Sequence, residues 1–210
     1  MAVLNANQIN AYIATAREHR LFAAFVLDLT TGLRRGELLA LKKDALDLTR
    51  GTVTVREGLY RTRLVDEGRS ELQFNDPKTE SGRRTIPLRP GVVRELREHL
   101  KRQAEERLFA GGAWQDNNLV FCTSTGTPIE PRNFSRCHAG MLKKAGLPHV
   151  TLHALRHSFA SLVAGTGENP ENLRAILGHS KTGTTMDLYC HANEEGKRRA
   201  VNRLEGLINI

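Results

Sequence analysis

Five side chains able to bind, protonate or attack a phosphate ester crowd the stretch from Thr151 to His191: His153, Arg156, His157, His179 and Tyr189. Two compact phrases, HALRH and ILGHS, carry the first four, and an isolated tyrosine follows. Two further cations stand far upstream, Arg34 in TGLRRGEL and Lys78 in PKTESG. Attack on a phosphodiester places extra negative charge on its non-bridging oxygens, and preorganised cations stabilise that charge best where water is scarce. Arginine suits the task because its planar fork bonds two oxygens at once and stays protonated. Histidines 153 and 179 add donors whose protonation is tunable, and Lys78 offers a proton to a leaving alkoxide. A free phenol has a pKa of about 10, and neighbouring arginines favour the phenolate of Tyr189. A covalent phosphotyrosine conserves the ester bond energy, so rejoining needs no ATP. No carboxylate cluster points to a metal, and arginines can replace Mg2+ in neutralising charge. No cofactor is expected.

The elements that must position these groups read as mainly helical. Asn5 and Gln8 have the spacing of a capping box, predicting a helix to about Arg17. A second helix is predicted from Leu21 to about Thr30, ended by Gly32. A short helix in LRRGELLALKK then carries Arg34, Arg35 and Glu37. Three strands are predicted at Thr52–Val55, Glu71–Phe74 and Arg83–Leu88, forming a small three-stranded antiparallel sheet with a hairpin turn at 79–82. The next helix, 91–109, is predicted to bury Val93, Leu96, Leu100 and Leu108. A short strand at 119–121 follows. Helix 133–145 is predicted to point Phe134, Cys137, Met141 and Leu142 inward. Helix 153–163 should bury Leu155, Phe159 and Leu162. Asn169-Pro170 opens a helix holding Leu173, Ile176 and Leu177, and Gly178 stops it. An amphipathic helix, 194–208, is expected to dock on its own body or a neighbour. The whole of 1–210 reads as one domain of mainly α, or α+β, class.

Composition supports a globular chain with a polyanionic partner. Of 210 residues 40% are hydrophobic, which argues against disorder. Lys and Arg total 31 against 23 Asp and Glu, a net charge of +8. That balance suits nucleic acid first and an anionic membrane surface second. No apolar run approaches the roughly 20 residues of a membrane span, and MAVLNANQIN lacks the regions of a signal peptide. Three cysteines, Cys122, Cys137 and Cys190, form no CxxC, so a reduced, cytoplasmic setting is expected.

Taken in order, TGLRRGEL, PKTESGRRTIPL, HALRHSFAS, ILGHS and TTMDLYCHA resemble the motifs of the tyrosine recombinase (phage integrase) family. The likeness runs from about Ala11 to His191. It implies that fold's catalytic domain, from a bacterial or phage source, acting as a site-specific recombinase on double-stranded DNA. It implies Arg34 and Arg156 as phosphate-clamping arginines, Lys78 as general acid toward the leaving 5′-oxygen, His153 and His179 at the two histidine positions, and Tyr189 as nucleophile forming a 3′-phosphotyrosyl link. Glu37 matches the acidic residue that supports the first arginine. Members cut and rejoin strands in pairs through a Holliday junction as a tetramer, so a homotetramer on DNA is expected, with a monomer in its absence. The segment 194–210 would then pack on a neighbouring protomer. Members usually carry an N-terminal helical core-binding domain, whereas here the catalytic motifs begin almost at once; an excised fragment or a short form is expected.

Each of these residues also has a plainer role open to it. His153 and His157 have a zinc-type spacing, but Ala154 stands where a zinc protease carries its Glu, so no metal is expected and His157 reads as packing or supporting. Arg35, Arg83 and Arg84 read as DNA-backbone or solvent-facing side chains. Two rival readings remain: a DNA-binding module that does not cut, and a type IB topoisomerase-like or telomere-resolving enzyme.

Overall fold

A computed structural model describes residues 3–63, 70–77 and 82–178. Its elements are α1 (Ala6–Ala16), α2 (Phe22–Thr31), α3 (Arg35–Ala40), β1 (Leu46–Asp47), β2 (Thr52–Val55), β3 (Gly58–Arg63), β4 (Ser70–Asn75), β5 (Arg84–Pro87), α4 (Pro90–Ala110), α5 (Pro131–Lys144), α6 (Leu152–Gly165) and α7 (Pro170–Leu177). The fold is mainly helical with a small antiparallel sheet, as the sequence predicts.

Local chemistry accounts for the helix ends. Asn5 and Gln8 make a reciprocal capping box, each side chain taking the other's backbone N–H at 3.0 Å. Gly32 ends α2 at φ 61, a left-handed conformation that an L side chain adopts only with strain. Asn169 caps α7 by accepting from the Glu171 N–H at 2.9 Å, with Pro170 in its first turn.

Helix α2 is the central element and packs against α1, α3, α4 and α6. Nine of its ten residues are buried, so apolar side chains surround it instead of forming one stripe. Phe25 stacks on Phe134 of α5 with centroids 5.0 Å apart and meets Tyr12 of α1 edge-on at 5.9 Å. Such pairs contribute about 0.5–1.5 kcal/mol each beyond area burial. The Tyr12 hydroxyl donates to His138 Nδ1 at 2.9 Å, while His138 Nε2–H donates to the Val150 carbonyl at 2.8 Å. That fixes a neutral tautomer, in keeping with the lowering of the His138 pKa by burial. A second apolar cluster, Ala160, Leu173 and Leu177, joins α6 to α7.

The three-stranded sheet has the order β1-β2-β5, all antiparallel. Val53 pairs with Ile86, and both are buried on the core face. Membership differs from the sequence expectation. β4, predicted to join β5, instead pairs with β3 in a separate two-stranded ribbon, Leu59 opposite Phe74. The ribbon is mostly solvent-facing, and Leu59 is its single fully buried side chain among the described residues, so hydrophobic alternation could not reveal β3. The predicted turn falls mainly on 79–81, outside the described residues, as does the predicted helix 194–208. The segment 119–121 makes only an isolated bridge, Leu119 to Lys42, with the Val120 N–H donating to the Leu41 carbonyl at 2.8 Å.

Two inward assignments are corrected. Leu108 is 83% exposed and Leu162 is 41% exposed. Helix α4 instead buries Val92, His99 and Gln103 beside Val93 and Leu96. The polar pair is held by the backbone at 119–120: His99 Nε2 and Gln103 Nε2 each lie 2.8 Å from the Val120 carbonyl, and Gln103 Nε2 also donates to the Leu119 carbonyl at 3.2 Å. The helix outruns the core near its C-terminal end, leaving Leu108 and Phe109 in solvent.

Candidate active site

Arg34 is the N-cap residue of α3, with extended backbone at φ −70 and ψ 145. Glu37, one turn on, holds it twice: Glu37 Oε2 accepts the Arg34 backbone N–H at 2.8 Å and Oε1 accepts from Nη1 at 2.7 Å. The same carboxylate receives Arg84 from β5, at 2.8 Å from Nη2 and 3.2 Å from Nη1. Burial alone would raise the Glu37 pKa. The Arg84 bonds, and then those of Arg34, outweigh it and hold the carboxyl below its usual range. Arg34 remains accessible, its side chain 41% exposed, whereas those of Glu37 and Arg84 are each 6% exposed.

Arg156 reaches this place from α6. Its residue is buried, with Nη1 donating to the Gly32 carbonyl and Nη2 to that of Leu177 at 2.5 Å. The end of α7 gathers all three arginines. Ile176 O accepts from Arg84 Nε at 2.6 Å, Leu177 O from Arg156, and Gly178 O from Arg34 Nη2 at 3.2 Å. Carbonyls at a helix C-terminus lack intrahelical partners and carry the negative end of the dipole, which explains why cations collect there. Positions 34, 84 and 156 thus meet on three successive carbonyls. The position predicted for His179 is the very next in the chain.

His153 and His157 lie one turn apart on α6, their Nε2 atoms 3.2 Å apart and their rings edge to face. One nitrogen must donate and the other accept, so the bonded pair cannot carry two Nε2 protons. Burial, then Arg156 and Arg34, lowers the His153 pKa, which sets this ring in the field of both arginines. Burial, then His153 and Arg156, does the same for His157. Among the described residues no group of three or more His, Cys, Asp or Glu is placed to hold a metal ion.

Arg35 and Arg83 are exposed; Arg35 Nη1 donates to Ser135 Oγ at 2.7 Å and Arg83 pairs with Asp76 at 3.0 Å. Arg84 departs from expectation. It faces neither solvent nor a DNA-accessible surface, because it shares the inner face of β5 with buried Ile86. That period-two relation was a signal in the sequence. Asp28 was also missed. It is a fully buried carboxyl with no hydrogen-bond partner among the described residues, on α2, whose other residues are apolar except Thr30 and Thr31. Burial pushes its pKa up to about 8, against the pull of Arg156. An acid four residues before the helix-ending glycine, flanked by leucines, was the available sign. Lys78, His179 and Tyr189 lie outside the described residues.

The architecture is that of the tyrosine recombinase catalytic domain. The integrase of transposon Tn1549 in complex with transposon right end DNA superposes with a TM-score of 0.81 at 26% identity, over 97% of this chain and 66% of that one. XerA recombinase shares the fold with a TM-score of 0.74. Residues 2–196 match the phage integrase family, and the chain belongs to it. A XerC-like tyrosine recombinase of Caldanaerobacter subterraneus subsp. tengcongensis is 33% identical over 90% of this chain and 50% of its own length. An integrase of Streptomyces ambofaciens is 34% identical over 87% and 47%. The chain therefore spans about half the length of these relatives.

Proposed function

We propose that this chain is the catalytic domain of a site-specific DNA recombinase that cuts and rejoins double-stranded DNA through a 3′-phosphotyrosyl intermediate. The convergence of Arg34 and Arg156 on adjacent carbonyls carries the reading. Two guanidiniums separated by over a hundred positions share one place, one accessible and one held in a low-dielectric surround. A phosphodiester bound there has its non-bridging charge met by fixed donors that need no reorganisation as the transition state forms.

In this scheme the Tyr189 phenolate oxygen attacks phosphorus and the bond to the 5′-oxygen breaks. Lys78 gives that oxygen its proton. His153 and His179 donate to the phosphate oxygens, the former from its position in the field of both arginines. Rejoining runs the same steps backwards, a free 5′-hydroxyl displacing the phenol. Pairwise strand exchange requires assembly on DNA, for which we propose a homotetramer with 194–210 seated on a neighbour. Among the described residues no helix is long and apolar enough to cross a membrane. We propose a cytoplasmic setting on the strength of the DNA-bound role.

The test is a nicked duplex that loses its 5′-hydroxyl fragment on cleavage, resolved on a denaturing gel. A covalent protein–DNA adduct is expected from the wild type, and Tyr189→Phe should bind the duplex without forming it. Saturated binding with no adduct from the wild type would instead identify a non-cleaving binding module.

A further inference from the structure

Arg84, like Arg156, is almost closed to solvent, yet of the three clustered guanidiniums it makes the most connections. From β5, opposite Val55, it bonds three other parts of the chain. Nε donates to Ile176 O at the end of α7, Nη1 to Glu37 Oε1 and to Gly82 O at 3.1 Å, and Nη2 to Glu37 Oε2. Four of its five N–H groups are thereby used, and the side chain is 6% exposed. A phosphate cannot reach it without breaking this set. Its two-pronged grip on Glu37 opposes the burial that would otherwise favour a neutral acid. Only the ionised acid has both oxygens free to accept, and Glu37 needs both, one for the Arg34 backbone N–H and one for its guanidinium. On its other side Arg84 holds the carbonyl next to those that Arg156 and Arg34 use.

We infer that Arg84 is a positioning residue for strand cleavage, locking the orientation of Arg34 through Glu37 and the end of α7 through Ile176 so that they hold register as one unit. This rests on the reading above, in which Arg34 and Arg156 bind the scissile phosphate. A lysine could supply the charge but not the three-way planar fork.

The experiment uses the complete chain with Arg84→Met and Arg84→Lys. Single-turnover cleavage of the nicked duplex is followed at saturating protein from pH 5 to 8, and duplex affinity is measured separately in a Tyr189→Phe background. The expected result for Arg84→Met is a cleavage rate lower by about 10²-fold, the scale of a small misplacement of catalytic groups, with affinity changed by less than about threefold because no ground-state contact is lost. The residual rate should fall further toward pH 5, as Glu37 now takes up a proton. Arg84→Lys should keep the affinity, lose at least about tenfold in rate and lack that acid limb. If Arg84→Met does not fold, the lysine variant decides by the same criteria. Wild-type cleavage by both variants, a parallel loss of affinity and rate, or a loss by Arg84→Met that is equal at every pH would overturn the inference. Arg34→Lys and Arg156→Lys run alongside. Near-normal cleavage by these two means that the phosphate reading itself has failed; their loss beside intact Arg84 variants refutes the positioning role alone.

Discussion

Replacing Glu37 by glutamine is the perturbation that the geometry resolves most sharply. The carboxylate accepts four hydrogen bonds, two from Arg34 and two from Arg84. A carboxamide keeps one acceptor oxygen and turns an NH2 group toward guanidinium donors. Arg84, 6% exposed, then holds a buried charge without a counter-ion. Breaking a buried pair from one side costs about 3–5 kcal/mol. For a chain of this length each kcal/mol moves Tm by about 2–4 °C, so a drop of roughly 6–20 °C is expected at pH 7. The pH dependence has a definite sign. Glu37 has a folded pKa below its unfolded value, so its contribution is complete above the unfolded value, about 4.3, and fades as pH falls through the folded one. The gap between wild type and variant should therefore narrow in acid. Cleavage should fall by about 10²-fold as Arg34 loses both holds. Thermal unfolding at neutral and acid pH, with single-turnover cleavage at a temperature where both proteins are folded, checks each part. A variant within about 1 kcal/mol of wild type, cleaving normally, would show that the Arg34–Glu37–Arg84 network is not a supporting structure.

Other perturbations probe the surroundings. The folded state raises the pKa of Asp28 from 3.8 to about 8, so its contribution is complete below the unfolded value and stability is lost as pH rises from there through the folded one; Asp28→Asn, which does not titrate, should gain stability relative to wild type as pH rises between these two values and gain no more above the higher one, and a constant difference in Tm would contradict the burial argument. Gly32→Ala combines a left-handed backbone with a methyl group 2.7 Å from Phe159 Cδ1; it should cost more than the roughly 1–2 kcal/mol of the backbone alone and impair cleavage, because the Gly32 carbonyl anchors Arg156. Chemical denaturation with m held constant reads the first effect, and an unchanged midpoint would refute it. Duplex affinity should fall steeply and log-linearly with salt as phosphate contacts release counterions, and a flat response would contradict a phosphate-binding surface on this basic chain.

What the sequence disclosed and what it hid divide along physical lines. Caps are local, and Asn5 with Gln8, Gly32 and Asn169-Pro170 announced their helix ends within a few residues. The pairing of Glu37 with Arg34 is also local, three positions apart across the start of α3, and it was the family resemblance that marked it. Pairing across the chain is different. Arg84 meets Glu37 only after β5 docks on β2 and α7 closes over it, and no periodicity encodes that contact. Strand β3 was hidden because Leu59 is its one fully buried side chain among the described residues, while Tyr60 and Arg61 are exposed, leaving no buried stripe to read. Leu108 misled for the opposite reason. Helical spacing persists to the end of α4, although the core it would face stops sooner.

Arg34 and Arg156 are proposed to act on a single phosphate. A double-mutant cycle tests this directly, with Arg34→Lys, Arg156→Lys and the combined variant compared in single-turnover cleavage of the nicked duplex. Groups that serve one transition state as a unit are strongly non-additive. The double variant should therefore cleave only slightly more slowly than the worse single variant. Losses that multiply, as for independent sites, would contradict a shared phosphate.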